Sequence, residues 1–207
     1  MAYTNYYKLE GNSNDYSGNG KNGTDTSVSY VPGKRGQGAL GVDSTTGTTH
    51  ATVTSPGCPL TSANRSFGCW ARMITNANGD GLMGWGGWGT PGYFCGLLWS
   101  ATHLAFAGYS ADVTGNATVS GGQTVHAVVT YDGTTIRLYR NGVLDNSGAV
   151  TLNTQASDLE ILRRKTNADP VYGGAAAVLD NVFVDNSVFT AQKIKTVYAS
   201  ESGRLQC

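Results

Sequence analysis

Asp158 and Glu160 stand two residues apart, the spacing that puts two side chains on one face of a β-strand. Two carboxyls about 5–5.5 Å apart, one a nucleophile and one an acid, are what retaining glycoside hydrolysis needs. The sequence has only three glutamates, Glu10, Glu160 and Glu201, and each falls in a different expected element. Glu160 enters a strand where Asp158 leaves a turn, so a solvated pair at a strand edge is the reading. Nucleophilic chemistry has no better support. There is no Gly-x-Ser-x-Gly elbow. His50, His103 and His126 each lie in an expected strand, His126 alternating with Val128 and Thr130 as a residue that fills one sheet face. No two histidines have metal-ligand spacing. The run Gly84–Gly89 lacks the Lys-Ser/Thr ending of a phosphate loop. No catalytic residue is assigned, and the chain reads as a non-enzyme.

Binding chemistry has one richer source. Between Met83 and Trp99 lie Trp85, Trp88, Tyr93, Phe94 and Trp99. Flat aromatic faces stack on the C–H surfaces of sugars, and glycines beside Trp85 and Trp88 let a loop turn and leave rings accessible. Trp85, Trp88 and Tyr93 are the candidate ligand-binding residues, with Phe94 and Trp99 assigned to the core. An exposed aromatic cluster marks a protein partner as readily as a sugar. Arg163-Arg164-Lys165 is the one basic cluster and reads as a solvated strand end. Cys58, Cys69, Cys95 and Cys207 show neither CxxC nor metal spacing. They are reduced thiols, or Cys58 and Cys69 bridge if the chain matures outside the cell.

The elements that must position these side chains are short and β-like, punctuated by Gly, Asn, Asp and Pro. Strands are expected at Tyr3–Leu9, Val28–Val31, Ala39–Asp43, His50–Thr54, Ser66–Thr75, Gly81–Trp85, Tyr93–Trp99, Leu104–Tyr109, Thr124–Tyr131, Thr135–Arg140, Val143–Leu144, Leu159–Leu162 and Ala176–Val184. Asn12–Asp25 reads as a long loop. Asp132-Gly133 and Asn141-Gly142 are placed to reverse the chain in two-residue turns with positive φ. Only Thr190–Tyr198 reads as a helix, with Thr190 its N-cap and Phe189, Ile194, Val197 and Tyr198 on one face. The pattern predicts an all-β antiparallel sandwich or barrel in a single domain over residues 1–207.

Composition narrows the partners. Charged residues make up 14% of 207, and 14 basic residues cancel 14 acidic ones. A zero formal charge argues against nucleic acid, whose phosphates need a basic stripe, and against electrostatic docking to membranes. No apolar run is long enough to span a bilayer. The N-terminal segment has no basic n-region or apolar h-region, so no signal peptide is expected.

Three segments carry a family resemblance. They are Tyr7-Lys8-Leu9-Glu10 with the stretch Asp15–Thr24, the hairpin His126–Val143, and Leu179–Val184 with the helix that follows. Together they resemble laminin-G-like domains of the concanavalin A-like lectin/glucanase superfamily. The resemblance implies a jelly roll of two packed antiparallel sheets with one short C-terminal helix. It also implies a structural calcium held by Asp15, Asn19 and Asp180, although Asn181 stands where family members often carry a second acid. Domains of this kind serve as lectins, glycosidases, adhesion modules and structural parts, so fold does not give function. The expectation is a recognition or structural protein on a virion, in capsid decoration or at a tail, with a glycan or a capsid protein as partner and self-association left open. A secreted carbohydrate-binding module and a degenerate glycoside hydrolase are the alternatives.

Overall fold

The structure is a computed structural model that describes residues 3–42, 47–74, 78–166 and 169–203. Its strands are β1 (Asn5–Tyr7), β2 (Thr24–Thr26), β3 (Ser29–Pro32), β4 (Gln37–Leu40), β5 (His50–Val53), β6 (Arg65–Met73), β7 (Asn78–Gly86), β8 (Phe94–Ser100) and β9 (His103–Ala107). They continue with β10 (Val113–Thr118), β11 (Thr124–Tyr131), β12 (Thr135–Arg140), β13 (Val143–Ala149), β14 (Leu159–Ile161), β15 (Arg163–Thr166), β16 (Asp169–Gly174) and β17 (Ala177–Asp185), before helix α1 (Ala191–Ser202). One sheet runs β13-β12-β11-β6-β17-β4-β3, with β1 also paired to β17; the second runs β10-β9-β8-β7-β14-β5-β2, and β15-β16 form a ribbon. Every pairing is antiparallel. The expected two-sheet jelly roll is what the chain forms. Asp43, Thr75 and Cys207 lie outside the described residues.

Alternation builds the core. On β6, Phe67, Cys69, Ala71 and Met73 all face the second sheet, and on β11 Val125, Ala127, Val129 and Tyr131 do the same. The opposite face of that first sheet carries Val128, Tyr139 and Phe183, which are covered by Ile194 of α1 and by Phe189 just before it. Thr190 caps the helix, its hydroxyl accepting from Lys193 N at 3.1 Å. Phe189 and Ile194 thus stand at the two positions of a hydrophobic staple. The helix outruns its sequence reading by a turn because its last inward residue is polar. Glu201 is buried and accepts from Trp70 Nε1 at 2.6 Å.

The Asn141-Gly142 turn has φ of 52° and 80° and is the two-residue reversal its sequence predicts. The other reversal is wider, since pairing resumes only at Tyr131 and Ile136. Asp132 Oδ1 accepts from the backbone N–H of both Thr134 and Thr135, and this side-chain capping stabilises a longer loop. The described cysteines, Cys58, Cys69 and Cys95, are all buried and free, so the bridge between Cys58 and Cys69 is absent.

Candidate functional site

The outer face of the second sheet carries a groove of about 330 Å³. Inward residues of β8 and β9, among them Leu97, Trp99, Leu104 and Phe106, belong to the core. Pleating turns Leu98, Ala105 and Ala107 outward as the groove's apolar floor. Phe94 anchors one end. Its ring lies so close over β7 and β8 that a Cβ added at Gly84 or Gly96 would stand 2.7 or 2.5 Å from it, and only glycine leaves that room. Phe94, Leu98 and Ala107 form a small apolar cluster of their own, with Trp88 and Tyr109 packed against it.

The two aromatic walls come from neighbouring loops. Gly86, at φ 109°, ends β7 where a Cβ would meet Tyr93 O at 2.3 Å. The chain then turns, and Trp88 falls outside the sandwich. Its ring meets Tyr109 edge-on, with centroids 4.5 Å apart, and Phe94 at 5.9 Å. Gly92 N–H bridges the loops by donating to Gly108 O at 2.7 Å and to Tyr109 O at 3.2 Å. The guanidinium of Arg164, on β15, sits 4.8 Å from the centre of the Trp88 ring, a cation–π contact. The rim carries the hydroxyls of Ser100, Ser110 and Thr114 and the carboxylate of Asp112. An apolar floor, half-exposed rings and hydrogen-bonding groups at the edge suit a ligand with one apolar face and many hydroxyls.

Of the residues expected to bind ligand, only Trp88 lines this groove. Trp85 is wholly buried, packs edge-on against Phe67 and donates Nε1–H to Pro59 O at 3.0 Å. It lies on β7 before the Gly86 turn, so its pleat points it into the core, and that assignment is corrected. Tyr93 is half-buried with its ring beside Gly87, and it is not among the residues that line the groove. Sequence reasoning missed Tyr109, Asp112 and Arg164. The turn residues after Ala107 were the available signal for the first two. Arg164 was grouped with Arg163 as a solvated end, but the two differ. Arg163 is buried in a two-point ion pair with Glu160, at 2.8 and 3.0 Å, and Thr52 also donates to that carboxylate. Glu160 is therefore a structural partner, not an exposed edge residue, and Asp158 lies half-buried two residues before it.

The residues implied for calcium have separate employments. Asp15 Oδ1 accepts from Tyr6 N and Ser17 N, and Oδ2 accepts from Ser17 Oγ and Lys21 N, at 2.8–3.1 Å. Burial pushes this carboxyl up, but those hydrogen bonds outweigh it and hold it below the usual range. Asn19 donates to Thr4 O at 2.9 Å. Asp180, on β17, instead accepts from Arg35 N at 2.6 Å. Asp15 and Asp180 share no hydrogen-bond partner, and no cluster of three His, Cys, Asp or Glu side chains suited to a metal occurs among the described residues. Four donors already hold the Asp15 carboxylate, and we propose that these hydrogen bonds, rather than a calcium ion, hold the loop. Asp15→Ala is expected to cost about 1–3 kcal/mol, the range for stranding buried donors, and to lower Tm equally with and without a chelator. A chelator effect on Tm in the parent that vanishes in Asp15→Ala would reverse this.

Comparison with known proteins agrees with this architecture. The family model described as the concanavalin A-like lectin/glucanases superfamily, of the laminin-G type, matches residues 45–195, and the chain belongs to that family. No curated protein matches it in sequence. Among solved structures it is similar to the binding domain of a paraclostridial mosquitocidal protein, at TM-score 0.76 and 14% identity over 96% of this chain and 52% of that one. It is also similar to domain 4 of an extracellular arabinanase of Geobacillus stearothermophilus, solved with arabinotriose, at TM-score 0.71 and 19% identity over 95% of this chain and 98% of that one. A third similar structure is a Trypanosoma rangeli sialidase, at TM-score 0.74 and 14% identity over 98% of this chain and 33% of that one. The chain thus spans about half of the mosquitocidal binding domain and a third of the sialidase. At these identities the likeness is one of fold.

Proposed function

We propose that the chain is a non-hydrolytic glycan-binding module whose ligand lies in the groove over β8, β9 and β10. The observation that carries this reading is the Trp88–Tyr109 pair standing over a floor of Leu98, Ala105 and Ala107. The arabinanase domain, similar over nearly its whole length and solved with arabinotriose, supports it. The role as a module without turnover rests on Glu160, whose carboxylate is committed to Arg163 and Thr52. Such a module works outside the cell, attached to a secreted enzyme or displayed on a virion. Co-purification with particles would favour the virion over the secreted module. Among the described residues no helix is long and apolar enough to cross a membrane.

The test is a glycan panel read by calorimetry or tryptophan fluorescence. Trp88→Ala is expected to weaken binding of any panel hit by about 30-fold or more, the effect of losing a hot-spot tryptophan at about 2 kcal/mol. Its Tm should fall little, because the ring is only half-buried. No binding across the panel, or equal binding by Trp88→Ala, would remove the reading.

A further inference from the structure

The groove's end wall has a backbone that its sequence does not favour. Tyr109 and Ser110 are consecutive and both left-handed, at φ 54° and 57°, a region few non-glycine residues enter. Such conformations persist only where neighbours enforce them, and they gather at ligand clamps. Here the enforcing group is Asp112, whose Oδ1 accepts from Gly108 N at 2.8 Å and closes the turn around both residues. The Gly92 N–H then ties this turn to the loop of Trp88. Asp112 thereby holds Tyr109 against Trp88, and its carboxylate lines the same groove.

Charge in the groove is balanced. Asp112 contributes one negative group and Arg164 one positive group, which lies over the Trp88 ring. The rest of the lining is apolar or hydroxyl-bearing, and the whole chain has zero formal charge. No excess of either sign exists to steer an ionised ligand. We infer, on the basis of the glycan reading above, that Asp112 is the positioning residue of the Tyr109 clamp and that its carboxylate, beside the turn it closes, disfavours sugars with carboxylates relative to uncharged ones. The groove's volume is at the small end of ordinary ligand sites, which run from about 300 to 1,000 Å³, so the bound portion is a short one. A sugar carboxylate there would meet the Asp112 carboxylate, a like-charge contact that salt screens.

The experiment compares matched neutral and acidic glycans: galactobiose with digalacturonate, and N-acetyllactosamine with its sialylated form, within a wider panel. The parent is expected to bind neutral members only, or at least about tenfold more tightly, with the gap narrowing at 1 M salt. Asp112→Asn keeps an acceptor for Gly108 N–H and removes the charge. Its ratio of acidic to neutral affinity should rise about tenfold over the parent's. Asp112→Ala releases the turn and should weaken every hit. Tighter binding of acidic members by the parent, or an unchanged ratio in Asp112→Asn, would overturn this inference and leave glycan binding standing. Absence of any binding would overturn both.

Discussion

Between about pH 4.5 and 6.5 the protein is expected to hold a nearly constant Tm, while two single variants acquire slopes of opposite sign. The cause is a row of three side chains across the first sheet, beneath α1. His126 on β11 is paired in register with Trp70 on β6, and Trp70 with Asp180 on β17. The His126 and Trp70 rings are 5.0 Å apart, and both titratable groups are buried. Burial lowers His126 from 6.5 to about 4. Burial, aided by the fields of Glu10 and Glu201, raises Asp180 to about 7 against backbone hydrogen bonds from Arg35 and Lys34.

The two linkages run in opposite directions. Asp180 binds its proton more tightly in the folded state, so its contribution is full below about pH 4 and disappears as pH rises through 7. His126 binds its proton less tightly in the folded state, so its contribution is full above about 6.5 and disappears as pH falls towards 4. Each has a slope of up to about 1.4 kcal/mol per pH unit, and across the shared window the slopes cancel. Burial also raises Glu201, despite its hydrogen bond from Trp70, so the parent's nearly flat curve tilts slightly downward as pH rises. In Asp180→Asn the His126 slope is left, and Tm should rise from pH 4.5 to 6.5. In His126→Phe, which keeps a ring beside Trp70, Tm should fall over the same range. At roughly 2–4 °C per kcal/mol for a chain of this length, each slope amounts to several degrees. Parallel curves for parent and both variants would show that neither group is buried in the way described.

The sandwich was legible in the residues because burial on one face forces alternation. Thr124–Tyr131 and Thr135–Arg140 match β11 and β12 residue for residue. Strands that bury little were invisible for the same reason. β2 (Thr24–Thr26) is wholly exposed, and β10 (Val113–Thr118) alternates Val and Gly with Thr and Asn. The candidate site was half legible. Aromatic residues flanked by glycine pointed to the right loop, but Trp85 and Trp88 are told apart only by where the strand ends. That end is set by Gly86, at φ 109° and with no room for a Cβ beside Tyr93 O. Arg163 and Arg164 are adjacent in sequence, yet one is neutralised by Glu160 and the other lies over Trp88. Tertiary contacts make that distinction, and neither residue type nor spacing encodes it.

The second large effect is expected at Arg65, a residue whose charge suggested nothing in sequence. It is wholly buried at the start of β6, and the groups that accept its hydrogen bonds are neutral. Nε donates to Ala63 O at 2.9 Å, one terminal nitrogen to Thr154 Oγ1 at 2.9 Å, and the other to Thr61 O at 2.8 Å and Leu60 O at 3.3 Å. The guanidinium also lies 5.4 Å from the centre of the Tyr131 ring. One planar fork thereby satisfies the carbonyls of a segment that carries no strand of its own. The same segment accepts the Trp85 indole N–H at Pro59 O. Arg65→Ala strands several acceptors and opens a cavity, so a loss of about 3–5 kcal/mol is expected in urea unfolding. Arg65→Lys keeps the charge but has no planar fork to span acceptors on both sides, and should recover only part of that loss. Because the groove lies on the far side of β7 and β8, folded Arg65→Lys should bind glycan with parental affinity. A loss below about 1 kcal/mol in Arg65→Ala would mean that water replaces the guanidinium and that the segment is held by its apolar contacts.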